Sequence, residues 1–272
     1  MKMLFVGIDG LDSDRVLSSG GAFSDWGGLR GRCVPEIAST GPSWTTIYTG
    51  LKQEAHGVTS PWGLEAKPSL PYIWKQLDSC GVIGMPVTYP AHKLDDGWML
   101  SGLPSPSSDL RARWPRDLDP GQYISDYTNI LHPAKADIGR WTKPTTPEQA
   151  WESMKKVAWS HIGNAARLYR ERPVESLFVG FTFPDRWGHT VISGGWGETW
   201  RGWSPVDELA RRLVYEARAA FDPDLVVIVS DHGFDNGGHT DAGIFLMSGK
   251  SEDIELHNWD VKGMIIDRLG ET

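Results

Sequence analysis

Short apolar runs that stop at an acid constrain this chain more than any other feature. Leu4-Phe5-Val6-Gly7-Ile8 ends at Asp9, Leu177 to Phe183 ends at Pro184-Asp185, and Leu225-Val226-Val227-Ile228-Val229 ends at Ser230-Asp231-His232. Runs of this length, rich in β-branched and aromatic residues, are buried strands. A weaker strand is expected at Val82–Val87, after a helix-like stretch from Pro71 to Ser79, and a last one at Gly243–Met247. Between the runs lie helical patterns with strong start signals. Thr146-Pro147-Glu148-Gln149 and Ser204-Pro205-Val206-Asp207 each set a hydroxyl before a proline, predicting helices to about Arg172 and Ala220. In the second, Leu209, Leu213, Val214 and Ala217 share one face, which docks on the sheet. Strands alternating with helices specify an α/β fold with substantial parallel content.

In an open α/β sheet the strand C-termini form one edge, where ligands bind. Asp9, Asp185 and Asp231 should therefore converge, and converging carboxylates repel unless a cation lies between them. Histidines complete the set: Asp185 and His189 are four apart, His232 follows Asp231, and His239 lies in Gly237-Gly238-His239-Thr240. Three Asp and three His suffice for two nitrogen/oxygen sites of the kind that suits zinc; manganese or iron fits the same groups. Each piece alone has an ordinary reading, Asp9 as a turn former or helix cap and Asp185/His189 as a solvated pair. Ser39-Thr40-Gly41-Pro42-Ser43-Trp44 precedes a short helix ending near Gly50, so the Thr40 hydroxyl is either an N-cap or a group held where a phosphoryl binds.

Charge and composition narrow the partners. Lys and Arg total 27 against 35 Asp and Glu, a net charge of -8, which excludes long nucleic acid as the expected partner. No apolar window is long enough to span a membrane, and no basic leader precedes the first strand, so a cytoplasmic location is expected. Cys33 and Cys80 are too few for a disulfide framework and read as reduced thiols. Trp occurs 14 times, far above average usage, and Trp44, Trp62, Trp187, Trp196, Trp200 and Trp203 fall near the expected mouth; each taken singly reads as packing, while their concentration there suits stacking on a flat substituent. Residues 101–145 are rich in proline and read as a small irregular cap within a single domain spanning 1–272, and Val191–Trp203 as a second loop. Arg186 is expected to pair on the surface.

The ordered set Asp9, Thr40 in Thr-Gly-Pro-Ser, Thr49-Gly50, His56-Gly57, Asp185 with His189, Asp231-His232-Gly233 and His239 resembles the alkaline phosphatase superfamily. It is most similar to the type I phosphodiesterase/nucleotide pyrophosphatase branch. Pro71-Tyr72-Ile73-Trp74 and Val82 to Pro90 agree with small microbial members, and the likeness covers roughly 1–108 and 175–249. The resemblance implies an alkaline-phosphatase-like three-layer sandwich and a two-metal phosphoric ester hydrolase. Asp9, Thr40, Asp231 and His232 would surround one ion, and Asp185, His189 and His239 the other, with Thr40 as nucleophile and His56 structural. Ser43, where the branch often carries Asn, and Trp44 would contact substrate.

A divalent ion makes threonine alkoxide accessible without a histidine base. The implied substrate is a small phosphodiester or pyrophosphate, nucleotides included, cleaved through phospho-Thr40 with net retention at phosphorus. A phosphomonoesterase on the same site and a silent metal-containing binding module are the alternatives. A sulfatase is disfavoured, because threonine cannot become formylglycine and Trp44 replaces the arginine of that motif.

Overall fold

The computed structural model describes residues 1–60, 65–105, 109–124, 146–190, 202–236 and 238–270. In chain order the elements are β1 (Met3–Ile8), α1 (Ser13–Val16), β2 (Gly28–Val34), α2 (Thr40–Thr49), α3 (Gln53–His56), β3 (Cys80–Ile83), β4 (Gly97–Leu100) and β5 (Arg113–Trp114). There follow α4 (Pro147–Glu171), β6 (Ser176–Phe181), α5 (Phe183–Trp187), α6 (Ser204–Phe221), β7 (Leu225–Val229), β8 (Gly233–Asp235), β9 (Gly238–Thr240), β10 (Gly243–Ser248), β11 (Glu252–His257) and α7 (Val261–Gly270).

Nine strands form one sheet in the order β11-β2-β10-β7-β1-β6-β3-β4-β5, and β8 and β9 form a separate hairpin. The centre is parallel, with β1 between β7 and β6 and β3 beyond β6, while β10 runs antiparallel to both neighbours. Alternation along β1 builds two cores. Leu4, Val6 and Ile8 face the helices α4 and α6, through residues such as Ala158, Leu213 and Val214. Met3 and Phe5 face α2 and α7, through Trp44, Tyr48, Val261 and Ile265. This is the expected largely parallel sheet flanked by helices, in three layers.

The helix starts differ in detail. Thr146 caps α4, its hydroxyl accepting from the Gln149 N–H at 3.3 Å. At α6 the cap position is Trp203 and Ser204 is already helical. The expected helix over Pro71–Ser79 is a single 3-10 turn at Ile73–Lys75. Tyr72, Ile73 and Trp74 are consecutive and all buried, without the spacing of three and four that marks one apolar helix face. The strand expected over Val82–Val87 stops at Ile83, because the chain turns at Gly84 with φ +69 against the His161 ring.

The described part of 101–145 runs beside the sheet. β5 pairs antiparallel with β4 at the sheet's edge, and the Tyr123 hydroxyl donates to the Ser101 carbonyl at 2.7 Å, laying this stretch along the edge strand. Residues 125–145, Trp62, Gly237 and the loop 191–201 with Trp196 and Trp200 lie outside the described residues. No helix among the described residues is long and apolar enough to cross a membrane.

Candidate active site

The three central strands deliver the acids. Parallel pairing of β1 with β6 and β7 puts Asp9, Asp185 and Asp231 just past adjacent strand ends. The backbone ties them further, since the Asp9 N–H donates to the Phe181 carbonyl at 2.8 Å and the Asp185 N–H to the Asp9 carbonyl at 3.1 Å. Thr40 opens α2, reached from β2 on the same edge of the sheet.

Two groups of ligand atoms result. Asp9, Asp231 and His232 form an inner group, all fully buried; Asp185, His189 and His239 form an outer group that reaches solvent. In the inner group His232 Nε2 lies 3.4 Å from Asp9 Oδ1 and 3.4 Å from Asp231 Oδ2. In the outer group Asp185 Oδ1 lies 3.1 Å from His239 Nε2 and 3.4 Å from His189 Nε2, and the two imidazole nitrogens are 3.0 Å apart. Ligands about 2.0 Å from a tetrahedral zinc stand about 3.3 Å from one another, so both groups have the spacing such an ion requires.

The tautomers agree. His232 Nδ1 lies 3.0 Å from the Gly233 carbonyl and His239 Nδ1 lies 2.9 Å from the Ala38 carbonyl. Each carbonyl can only accept, so in the neutral ring Nδ1 carries the proton and Nε2 presents a lone pair to the cluster. The buried atoms His232 Nε2, Asp185 Oδ1 and both carboxylate oxygens of Asp231 lack a hydrogen-bond partner of normal geometry, although the backbone N–H groups of Asp231 and Gly10 lie near that carboxylate. Orphaned acceptors around a shared volume are what a cation would satisfy.

The electrostatics of the cluster without ions follow the same logic. Burial, reinforced by the charge of Asp185, pushes the Asp9 carboxyl well above the usual carboxylate range. Burial, with Asp9 and Asp185 beside it, does the same to Asp231. Burial also opposes ionisation of Asp185, but contact with His189 and His239 outweighs it and holds that carboxyl below its ordinary value. His232 is lowered to about 4 by burial and by neighbouring His239. His239 is raised, the contact with Asp185 overcoming its burial.

Thr40 is the first helical residue of α2, and Ser39 takes the cap position without a side-chain cap. The Thr40 hydroxyl therefore is not the N-cap. It is buried and points to the inner group, Oγ1 lying 3.5 Å from Asp9 Oδ1. At this end of a ten-residue helix the dipole favours an incoming anion.

The residues expected to touch substrate do other work. The Ser43 hydroxyl donates to the Ile37 carbonyl at 2.5 Å, which fixes the loop entering α2. Trp44 is fully buried, stacks on Tyr48 with ring centroids 5.4 Å apart, and donates its indole N–H to Asp9 Oδ2 at 3.2 Å. Its spacing of four from Thr40 puts both on one helix face, the signal that would have revealed this role. Gly7 makes room, since a Cβ there would come within 2.9 Å of the Trp44 ring. Trp187 is likewise a core residue, packed edge-on against Trp151. Arg186 is buried and not on the surface. Of the tryptophans assigned to the mouth, Trp203 is described, lying under the Arg15 guanidinium at 4.3 Å. His56 is structural in its contacts: Nδ1 accepts from the Val58 N–H at 3.0 Å, so Nε2 carries the proton 3.0 Å from the Thr46 hydroxyl.

The sequence matches no protein-family model and no curated protein. Its fold does match solved structures. A 2-O glycosaminoglycan sulfatase aligns with a TM-score of 0.60 at 11% identity, over 99% of this chain and 70% of that one. Murine ectonucleotide pyrophosphatase/phosphodiesterase 5 aligns with a TM-score of 0.58 at 13% identity, over 99% and 95%. An inactive threonine-to-alanine variant of the murine protein, in complex with AMP, aligns at 0.57 and 13%, over the same shares. The architecture is thus the alkaline-phosphatase-like fold that these hydrolases share.

Proposed function

We propose that this chain is a metal-dependent phosphoric ester hydrolase of the phosphodiesterase/nucleotide pyrophosphatase type, acting on a small-molecule diester or pyrophosphate. The observation that carries the reading is the Thr40 hydroxyl, uncapped at the start of α2 and facing a cluster whose lone pairs converge at metal-ligand spacing. Asp9, Thr40, Asp231 and His232 would hold one divalent ion and Asp185, His189 and His239 the other, zinc being the ion these donors suit best. Bound there, the ions would supply charge neutralisation for the phosphoryl oxygens and acidify the threonine hydroxyl.

The chain's own part begins with orientation. α2 presents Thr40 Oγ1 and the positive end of its dipole to the phosphoryl group. The Thr40 oxygen bonds to phosphorus as the bond to the leaving oxygen breaks; the hydroxyl proton ends on the departing alcohol or phosphate, and the phosphoryl group on Thr40 keeps its other substituent. Water then attacks the same phosphorus and releases Thr40, and two in-line displacements leave net retention. The burial of Asp9, Asp231 and His232 keeps bulk water from the inner group.

The likeness to a nucleotide pyrophosphatase whose threonine-to-alanine variant is inactive supports both the nucleophile and the substrate class. The sulfatase neighbours share the fold, but Thr40 cannot yield formylglycine. Buried, unpaired Cys33 and Cys80 fit a reducing, cytoplasmic setting.

The test is hydrolysis of bis-p-nitrophenyl phosphate beside p-nitrophenyl phosphate by metal-stripped protein with zinc or manganese restored. Preference for the diester is expected. Preference for the monoester would move the reading to a phosphatase, and silence on both with every metal would leave a binding module.

A further inference from the structure

The outer ligand group depends on a hairpin outside the main sheet. His239 sits in β9, and the ring of Phe234 in β8 packs edge-on against both His189 and His239, with centroids 5.0 Å away in each case. Two strands hold this hairpin together, and neither belongs to the nine-stranded sheet. Besides the His239 contact with the Ala38 carbonyl and the Trp203 indole bond to Asn236, the loop that follows Asp9 ties it to the body of the protein.

That loop grips both strands. Asp12, buried, uses Oδ1 to accept from the Arg15 N–H at 3.0 Å and Oδ2 to accept from the Thr240 hydroxyl at 2.8 Å. Beside it, the Ser13 N–H donates to the Ala242 carbonyl at 2.7 Å. Arg15 donates through Nη1 to the Phe234 carbonyl at 2.8 Å, while Nε and Nη2 fork onto Asp207 at 2.8 to 3.1 Å. An independent feature points the same way. A Cβ on Gly233 would overlap both Asp12 Oδ2 and Thr240 Oγ1, so the glycine of Asp231-His232-Gly233 is needed for this carboxylate to reach the hairpin.

We propose that Asp12 and Thr240 are positioning residues that set the outer metal site, Asp12 latching β9 so that His239 meets Asp185 and His189. The inference rests on the metal reading given above. The latch is specific to the outer group, because the inner one is anchored separately. Ser230 Oγ accepts from the Leu11 N–H at 2.9 Å and donates to the His232 carbonyl at 2.6 Å, binding His232 to the ends of β1 and β7. Loosening β9 therefore leaves Asp9, Asp231 and His232 in place and moves His239.

The experiment is zinc titration of metal-stripped protein by equilibrium dialysis, with a thermal melt of each variant. Wild type is expected to bind two ions. Thr240→Val, which keeps the branched shape and deletes the donor, should bind the first ion as wild type does and the second about 10- to 100-fold more weakly. Asp12→Ala should do the same, and Thr240→Ser should restore the second ion. Wild-type binding of both ions by Thr240→Val and Asp12→Ala overturns the latch, as does equal loss of both ions with a collapsed melting temperature. A wild-type protein that binds no zinc overturns the metal reading itself, an outcome distinct from either.

Discussion

The indole N–H of Trp44 donates to one oxygen of Asp9, Oδ2, at 3.2 Å, while the other, Oδ1, faces Thr40 and His232. One side chain thereby divides the carboxylate, holding Oδ2 and leaving Oδ1 for the cluster. It also ties α2, which carries Thr40, the proposed nucleophile, to the end of β1, which carries Asp9, a proposed ligand. Trp44→Phe keeps the ring that stacks on Tyr48 and removes the donor. Zinc affinity or kcat is expected to fall about 10- to 100-fold, the scale of a lost ligand-orienting hydrogen bond. Titration and diester turnover check this, and unchanged values for both would show that the contact does not orient Asp9.

Thr40 is separable from the ligands by function. Thr40→Ala should lose at least about 10³-fold in turnover, since it removes the hydroxyl that lies against Asp9. Metal content should persist on the remaining Asp and His ligands. Thr40→Ser should recover part of the activity. Measured turnover of Thr40→Ala within about 10-fold of wild type would assign the nucleophile elsewhere.

The two buried acids should contribute a loss of stability to the metal-free protein as pH rises, opposite in sign to the contribution of buried His92 and His232. Asp9 and Asp231 are fully buried, and their folded-state carboxyls titrate well above the unfolded value near 3.8. Between those two pH values the folded state binds more protons than the unfolded state, so stability falls as pH increases through the interval. Relative to an Asp231→Asn variant, chelated wild type is thus expected to lose melting temperature as pH rises, a comparison that cancels the histidines common to both proteins, and added zinc should reverse the loss in wild type. Asp231→Asn should raise the metal-free melting temperature at pH 8 by about 2–4 °C per kcal/mol of relieved repulsion, while losing zinc. An Asp231→Asn variant whose metal-free stability follows pH just as wild type does would contradict this.

Much of this was legible because it is local. The central strands show as apolar runs, and the acids lie at their ends, so the convergence of Asp9, Asp185 and Asp231 followed from position along the chain. The edge of the sheet was less visible. β2 and β11 alternate apolar residues with charges, and their pairing sets Arg30 against Asp253 and Arg32 against Glu255, with ion pairs at 2.6 and 3.8 Å. Such strands lack an apolar run, and only their period of two marks them. Contacts made through the fold left no trace in sequence. Nothing in the order of residues says that Asp12 meets Thr240, and for Trp44 the only signal of its inward turn to Asp9 is its spacing of four from Thr40.

Acid should weaken the protein through a group far from the ligands. His92 is buried against Tyr72 and Trp74, and burial lowers its pKa to about 3, with nearby Lys75 adding to the shift. Its Nδ1 accepts from the Trp74 indole at 2.9 Å, so the neutral ring is the form that fits. In the unfolded chain the same ring binds a proton near pH 6.5. Between 6.5 and about 3 the unfolded state holds the extra proton, and stability present above 6.5 is lost as pH falls through that window. Replacing His92 with Gln keeps an acceptor for the indole and removes the titration. Denaturant unfolding from pH 7 to pH 4 should then lose about one proton's worth of slope relative to wild type. Identical pH dependence in the two proteins would mean that His92 is not the group that acid must charge.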